Sequence, residues 1–321
     1  MKIFLLFFLA VCGVNCAAKP PVDTVVSITN TTIFTSTGSL FGSLSVPIAE
    51  GKVPIVLIIA GSGPTDRNGN SGRALNTNCY KILADSLLKY GIASLRYDKR
   101  GAAESAASVI DPVSFRFINY VNDAVDAIKL LKADNRFSQI VVIGHSEGSL
   151  VGMIAAKMAS ADKYVSIAGA GFPIQDVLRK QFMAQPEAYQ AMLLTRLDTL
   201  VAGKLLTNVP AELNAIFNPM LQPYLMNWFT YIPATEIAKL NIPVLILNGT
   251  TDIQVGVEQA NNLHKACKQS KLVIVNGMNH LLKEAPLDRQ KNLATYTNAP
   301  NAPIKTELVQ AIKNFVKATK K

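Results

Sequence analysis

Histidine is scarce in this chain: 321 residues contain only His145, His264 and His280. The four cysteines, Cys12, Cys16, Cys79 and Cys267, form no Cys-x-x-Cys pair, and no His-x-x-x-His occurs. Both absences argue against a zinc or haem site built from such motifs, and any imidazole chemistry must draw on three residues. Aromatic residues make up 7% of the chain, with Trp228 the single tryptophan, and no heptad, collagen period or low-complexity tract is present. Past the first twenty residues, no segment runs for the ~20 apolar residues that a transmembrane helix needs without charge or proline. What is abundant is ordinary apolar sequence. The hydrophobic fraction is 49% against 17% charged, which excludes a disordered chain and allows a sizeable core.

The net charge of +10 suggests nucleic acid or an anionic surface at first sight. From Asn262 to Lys321, however, eleven basic residues face three acidic ones, and the rest of the chain is nearly balanced. No aromatic-interleaved basic stripe accompanies the surplus, so it reads as a surface property of the carboxyl-terminal end. No nucleic-acid partner is expected, and no stable membrane insertion; weak contact with an anionic envelope surface is compatible with it.

Met1-Lys2 precedes the short apolar run Ile3–Val11 and then small residues up to Ala17-Ala18. This is the layout of a secretory signal peptide over 1–18, implying a secreted or periplasmic protein. A lipoprotein reading through Cys12 or Cys16 is disfavoured by the preceding Val11 and Asn15. Removal of the signal would leave Cys79 and Cys267, which are expected to be buried thiols not paired with each other.

Val22–Thr29 and Ser39–Val46 alternate like the strands of an edge hairpin. Continuous apolar runs follow at Pro54–Ala60, Ile92–Arg96, Gln139–Ile143, Tyr164–Ala168, Pro243–Leu247 and Lys271–Val275, separated by helical stretches. Such alternation predicts a mostly parallel sheet covered on both faces. Two core parts, 19–171 and 240–321, flank a strandless block, 172–239, that reads as a helical cap. That block holds Met183, Met192, Met220, Met226 and Trp228, and a Met-rich underside would suit an acyl chain.

Gly144-His145-Ser146-Glu147-Gly148 sits between the strand Ile140–Ile143 and a helix opening at Glu147. This is a G-x-S-x-G nucleophile elbow in its required context. A serine needs a base, and the base a carboxylate to orient it. Asp252 and His280 each follow a later strand, in the chain order Ser, Asp, His. His264 lies inside a helical stretch, and the His145 side chain is expected to point away from Ser146 and pack beneath the elbow. Oxyanion donors are expected from the backbone N–H of Glu147 and of Ser62, the latter in Gly61-Ser62-Gly63-Pro64. The continuation Thr65–Asn70 is polar enough to rim a cleft.

With Arg96-Tyr97-Asp98-Lys99-Arg100-Gly101 and Asn279-His280, these segments resemble the α/β-hydrolase superfamily over roughly Val53 to Val316. Within it they resemble a branch of bacterial serine esterases and acyl hydrolases, the serine aminopeptidase-like or lysophospholipase-like group. The resemblance implies an α/β-hydrolase fold with an eight-stranded sheet, a variable helical cap, no cofactor, and catalysis by Ser146, Asp252 and His280. One departure is Ala103, where relatives often carry glycine after the Asp-x-Arg-Gly turn. The expected activity is hydrolysis of small to medium carboxylic esters. A peptidase or amidase is the alternative, for which Glu187, Asp198, Glu212 or Glu236 could anchor a substrate amino terminus. A non-catalytic binding protein on the same fold is the second alternative.

Overall fold

A computed structural model describes residues 26–72, 75–111, 113–298 and 300–318; the proposed signal peptide lies outside the described residues. The chain opens with a hairpin, β1 (Val26–Thr35) and β2 (Gly38–Pro47). Then β3 (Val53–Ile59), α1 (Cys79–Leu88), β4 (Ala93–Tyr97), α2 (Phe117–Ala133), β5 (Phe137–His145), α3 (Glu147–Met158) and β6 (Lys163–Ile167) alternate. An insert of helices follows: α4 (Ile174–Met183), α5 (Glu187–Val201), the short α6 (Asn214–Phe217), α7 (Gln222–Phe229) and α8 (Pro233–Ala238). The sheet resumes with β7 (Val244–Gly249), α9 (Val257–Ala266) and β8 (Lys271–Val275), and the chain ends in α10 (Arg289–Asn298) and α11 (Thr306–Lys317).

The eight strands form one sheet in the order β1-β2-β4-β3-β5-β6-β7-β8. β1 and β2 run antiparallel to each other and β2 antiparallel to β4, and the remaining pairs are parallel. The central strands are continuous apolar runs because both of their faces are covered. On one face Leu57, Ile59 and Val142 pack under α2, α3 and the insert; on the other Val56, Ile58, Val141 and Ile143 pack under α1 and α11. In α11 the buried Leu308, Ile312 and Phe315 recur at helical spacing, with Lys317 in solvent.

Two features of this topology position the site. β4 lies on one side of β3 and β5 on the other, so the chain reverses direction of winding there and opens a crevice at the carboxyl ends of the strands. β5, β6, β7 and β8 are neighbours in that order, so the loops leaving β5, β7 and β8 emerge at the same edge. Cys79 and Cys267 are buried free thiols. No helix among the described residues is long and apolar enough to cross a membrane.

Candidate active site

Ser146 stands between β5 and α3 with φ 55° and ψ −122°, a backbone conformation that side chains rarely adopt. The turn holds because its flanks carry no side chains. A Cβ on Gly144 would fall 2.1 Å from the Gly148 carbonyl oxygen, and one on Gly148 would fall 2.4 Å from that of Ile59. Strain at Ser146 is sustained by the surrounding ladder, where its N–H donates to the Ile167 carbonyl at 3.0 Å. The serine therefore projects over the amino terminus of α3, whose dipole favours negative charge.

The loop after β3 reaches the same point because Ile59 is paired with Gly144 across the sheet. Gly61 passes so near the elbow that a Cβ there would lie 3.1 Å from the Ser146 Cβ. Ser62 and Glu147, the two sequence-expected oxyanion donors, both line one cavity with Ser146. The rest of the loop does something other than rim the cleft. Of its residues only Ser62, Gly63 and Pro64 face the cavity, whereas Arg67 turns inward to a buried pair with Asp98 at 2.6 Å. Asp66 accepts the N–H groups of Asn68 and Asn70, both at 2.8 Å. Charge pairing and turn formation, rather than solvent, satisfy these polar side chains.

Asp252 and His280 are brought together from adjoining strands. His280 Nδ1 lies 2.8 Å from Asp252 Oδ2, with the Asp252 side chain fully enclosed. Asp252 Oδ1 accepts the N–H groups of Gln254 and Val255 at 2.8 and 2.9 Å. Burial pushes the Asp252 carboxyl up, but the His280 ring and these N–H donors outweigh it and hold the group below the usual carboxylate range. An ionised Asp252 can only accept, so Nδ1 of His280 donates and Nε2 is left as the basic nitrogen. The His280 loop is shaped by buried Asn279, whose Oδ1 accepts the N–H groups of Leu281 and Lys283 at 3.0 and 3.2 Å.

His145 is buried beneath the elbow and tied into the site from below. Its Nε2 lies 2.9 Å from the His280 carbonyl oxygen and its Nδ1 2.8 Å from the Tyr80 hydroxyl. Burial, then the nearby His280, lower its pKa from 6.5 to about 3, so the ring is neutral. A carbonyl only accepts, so the proton is on Nε2, and Nδ1 accepts from Tyr80. The Tyr80 oxygen in turn accepts the Gly61 N–H at 3.1 Å. His264 is elsewhere, on α9, with Nδ1 2.8 Å from Ser270 Oγ.

The cavity measures about 570 Å³. Phe115 and Tyr120 line it from the core, and Leu178, Tyr224, Leu225 and Trp228 from the insert. None of the four methionines of the insert is among its lining residues. Met183 and Met220 face solvent, and Met192 and Met226 pack into the core cluster, so the apolar underside is aromatic and aliphatic rather than Met-rich. The contacts of three neighbours of the site, Lys99, Tyr80 and Tyr224, carry no local signal in the sequence, although Lys99 lies in a segment that bears the family resemblance. Each residue is separated in the chain from the group it contacts and is brought in by the crossing of strands or by the insert.

A mostly parallel sheet wound around this crevice, with a strained serine elbow and an Asp–His pair on the facing loops, is the α/β-hydrolase fold. The family described as serine aminopeptidase, S33, matches residues 70–216, and that of TAP-like protein matches residues 230–299. Esterase EstD of Thermotoga maritima is 26% identical over 259 residues, covering 78% of this chain. The chain spans 61% of the length of that relative. Among solved structures, Est1E from Butyrivibrio proteoclasticus superposes with a TM-score of 0.56 at 18% identity, over 89% of this chain and 96% of that one. The Pyrococcus furiosus esterase Pf2001 also reaches 0.56, at 16% identity and 91% of each chain. At these identities the two structures establish the fold.

Proposed function

We propose that this protein is a secreted serine hydrolase that cleaves carboxylic esters of small to medium size through an acyl-enzyme on Ser146. The observation that carries the reading is the Asp252–His280 hydrogen bond of 2.8 Å on loops beside the Ser146 elbow, which borders an apolar cavity. His280 Nε2 takes the Ser146 proton as Oγ attacks the acyl carbonyl. The N–H groups of Ser62 and Glu147 receive the oxyanion, and His280 protonates the departing alcohol. Water then repeats the sequence and releases the acid. Asp252 keeps the His280 ring in the productive tautomer and stabilises its protonated form.

The lining supports an uncharged acyl group. The cavity's charged groups are matched within the protein, Lys99 with Glu147 and Arg100 with Asp123, and aromatic and aliphatic side chains supply most of the remaining surface.

The serine aminopeptidase match favours peptide-bond cleavage as a second reading. Against it, the acidic residues that could anchor a substrate amino terminus lie off the cavity. Asp198 pairs with Arg179 and Glu236 with Lys239, and Glu187 and Glu212 face solvent. The carboxylate that does border the cavity, Glu147, is already occupied at both oxygens.

Labelling with a fluorophosphonate probe tests the nucleophile: wild type is expected to label, and Ser146→Ala and His280→Ala are not. Equal labelling of wild type and Ser146→Ala overturns the assignment. p-Nitrophenyl esters run beside aminoacyl anilides separate the two reactions. Secretion rests on the amino-terminal pattern of residues 1–18, and amino-terminal sequencing of the mature protein tests it.

A further inference from the structure

Lys99 is a buried cation at the floor of the cavity, with only 5% of its side chain exposed. It leaves the end of β4, and its Nζ donates to the Gly61 carbonyl oxygen at 2.9 Å and to Glu147 Oε1 at 3.0 Å. The ammonium also lies 4.1 Å from the centre of the Tyr120 ring. Glu147 Oε2 accepts the Tyr224 hydroxyl of α7 at 2.8 Å. A salt bridge this deeply buried is a poor source of stability, because desolvating both charges offsets most of their attraction. Its position suggests another use.

Of the two groups that Lys99 holds, one shares a peptide unit with the Ser62 N–H and the other is the side chain of Glu147, the two residues expected to stabilise an oxyanion. The Gly61 carbonyl and the Ser62 N–H are parts of one planar trans peptide and point in opposite directions. Fixing the carbonyl therefore fixes where the Ser62 N–H points, and drawing electron density towards Lys99 makes that N–H a stronger donor. Glu147 supplies the second N–H, and its carboxylate stands one residue from Ser146. Unpaired in a site of low dielectric, that carboxylate would oppose a developing oxyanion; paired, it is neutralised.

We propose that Lys99 is a positioning residue for ester hydrolysis, aligning the Ser62 and Glu147 oxyanion donors through the Gly61 carbonyl and the Glu147 carboxylate. The assignment rests on the esterase reading of Ser146. It requires that Lys99 act on the tetrahedral, negatively charged state and little on ground-state binding.

The test measures p-nitrophenyl butyrate hydrolysis and the binding of two ketones of equal chain length. A trifluoromethyl ketone forms a tetrahedral adduct with the serine, whereas the methyl ketone binds without one. Lys99→Met is expected to lower kcat by about 30- to 100-fold with KM within about threefold, on the scale of losing or misaligning an oxyanion donor. It should weaken the trifluoromethyl ketone by a similar factor and leave the methyl ketone unchanged. The double variant Lys99→Met/Glu147→Gln, which buries no lone charge, should recover part of the loss but still discriminate less between the ketones than wild type. Lys99→Met with wild-type kcat, or one that weakens both ketones equally, overturns the proposal. If the single variant does not fold, the double variant decides, and full wild-type discrimination in it overturns the proposal. A wild-type protein that forms no adduct at all overturns the esterase reading itself, and the assignment of Lys99 with it.

Discussion

His145 Nε2 donates to the backbone carbonyl of His280 at 2.9 Å, so the histidine beside Ser146 supports the loop that carries His280. Through Nδ1 it also accepts from Tyr80, whose oxygen receives the Gly61 N–H. One neutral chain of hydrogen bonds thus joins the Gly61 loop to the His280 loop beneath Ser146.

That neutrality has a pH signature. The folded pKa of His145, about 3, lies below its ordinary 6.5, so the unfolded chain binds the proton more readily. The stabilising contribution is therefore complete above pH 6.5 and is lost progressively as pH falls towards 3, by at most about 1.4 kcal/mol per unit. Urea denaturation at pH 7.5 and 5.5 checks this. His145→Gln should be less stable at pH 7.5 and show a flatter pH dependence than wild type. Parallel curves for the two proteins would contradict the buried neutral ring.

Asp252→Asn replaces an ion that only accepts with an amide that can present a donor to His280 Nδ1, favouring the wrong tautomer. The expected loss in kcat is about 10³- to 10⁴-fold with little change in KM. Because the folded carboxyl titrates below its usual value, its stabilising interaction is present above the unfolded pKa near 4 and fails only as pH falls through the folded one. Steady-state ester hydrolysis of wild type and variant between pH 6 and 9 provides the comparison, and a kcat within tenfold of wild type would be incompatible with the assigned role.

The parts of this site that are legible in the sequence are those written locally. Ser146, Asp252 and His280 each follow a recognisable apolar strand, and the glycines of the elbow sit within two residues of the serine. What is illegible depends on the rotation of elements or on distant crossings. Lys99 meets Glu147 across 48 residues and Tyr80 meets His145 across 65, and nothing in their spacing marks either pair. The insert is recognisable as helical, but which face turns inward is not; Tyr224 and Trp228 line the cavity while Met183 and Met220 are exposed. α10 lacks apolar periodicity altogether in ArgGlnLysAsnLeuAlaThrTyrThrAsn. Thr65–Asn70 reads as a polar rim because composition cannot reveal that Asp98 awaits Arg67.

The elbow glycines make a prediction about folding rather than chemistry. A Cβ on Gly148 would stand 2.4 and 2.5 Å from the backbone oxygens of Ile59 and Ala60, neither of which can swing aside as a side chain would. Gly148→Ala should destabilise the protein by about 3 kcal/mol or more, within the range reserved for named steric failures, and abolish fluorophosphonate labelling. Gly51→Ala, where a Cβ would meet nothing within 4 Å, is the control and should behave as wild type. Thermal unfolding of the three proteins decides it.

Under the proposed ester hydrolysis, the cavity determines how long an acyl group can gain from burial. Each methylene moved from water into an apolar lining contributes about 0.8 kcal/mol, roughly a fourfold increase in kcat/KM. With about 570 Å³ bounded by Leu178, Leu225 and Trp228, kcat/KM should climb along the p-nitrophenyl ester series and then level off once the space is full. Leu178 is the place to shorten it, since it projects from α4 into the cavity and is only partly buried. Leu178→Trp should move the optimum by two or more carbons towards shorter chains, reducing kcat/KM for longer esters at least about tenfold while acetate hydrolysis stays within about twofold. Equal loss across all chain lengths would place the acyl group elsewhere, because only a group that enters this space can be shortened by filling it.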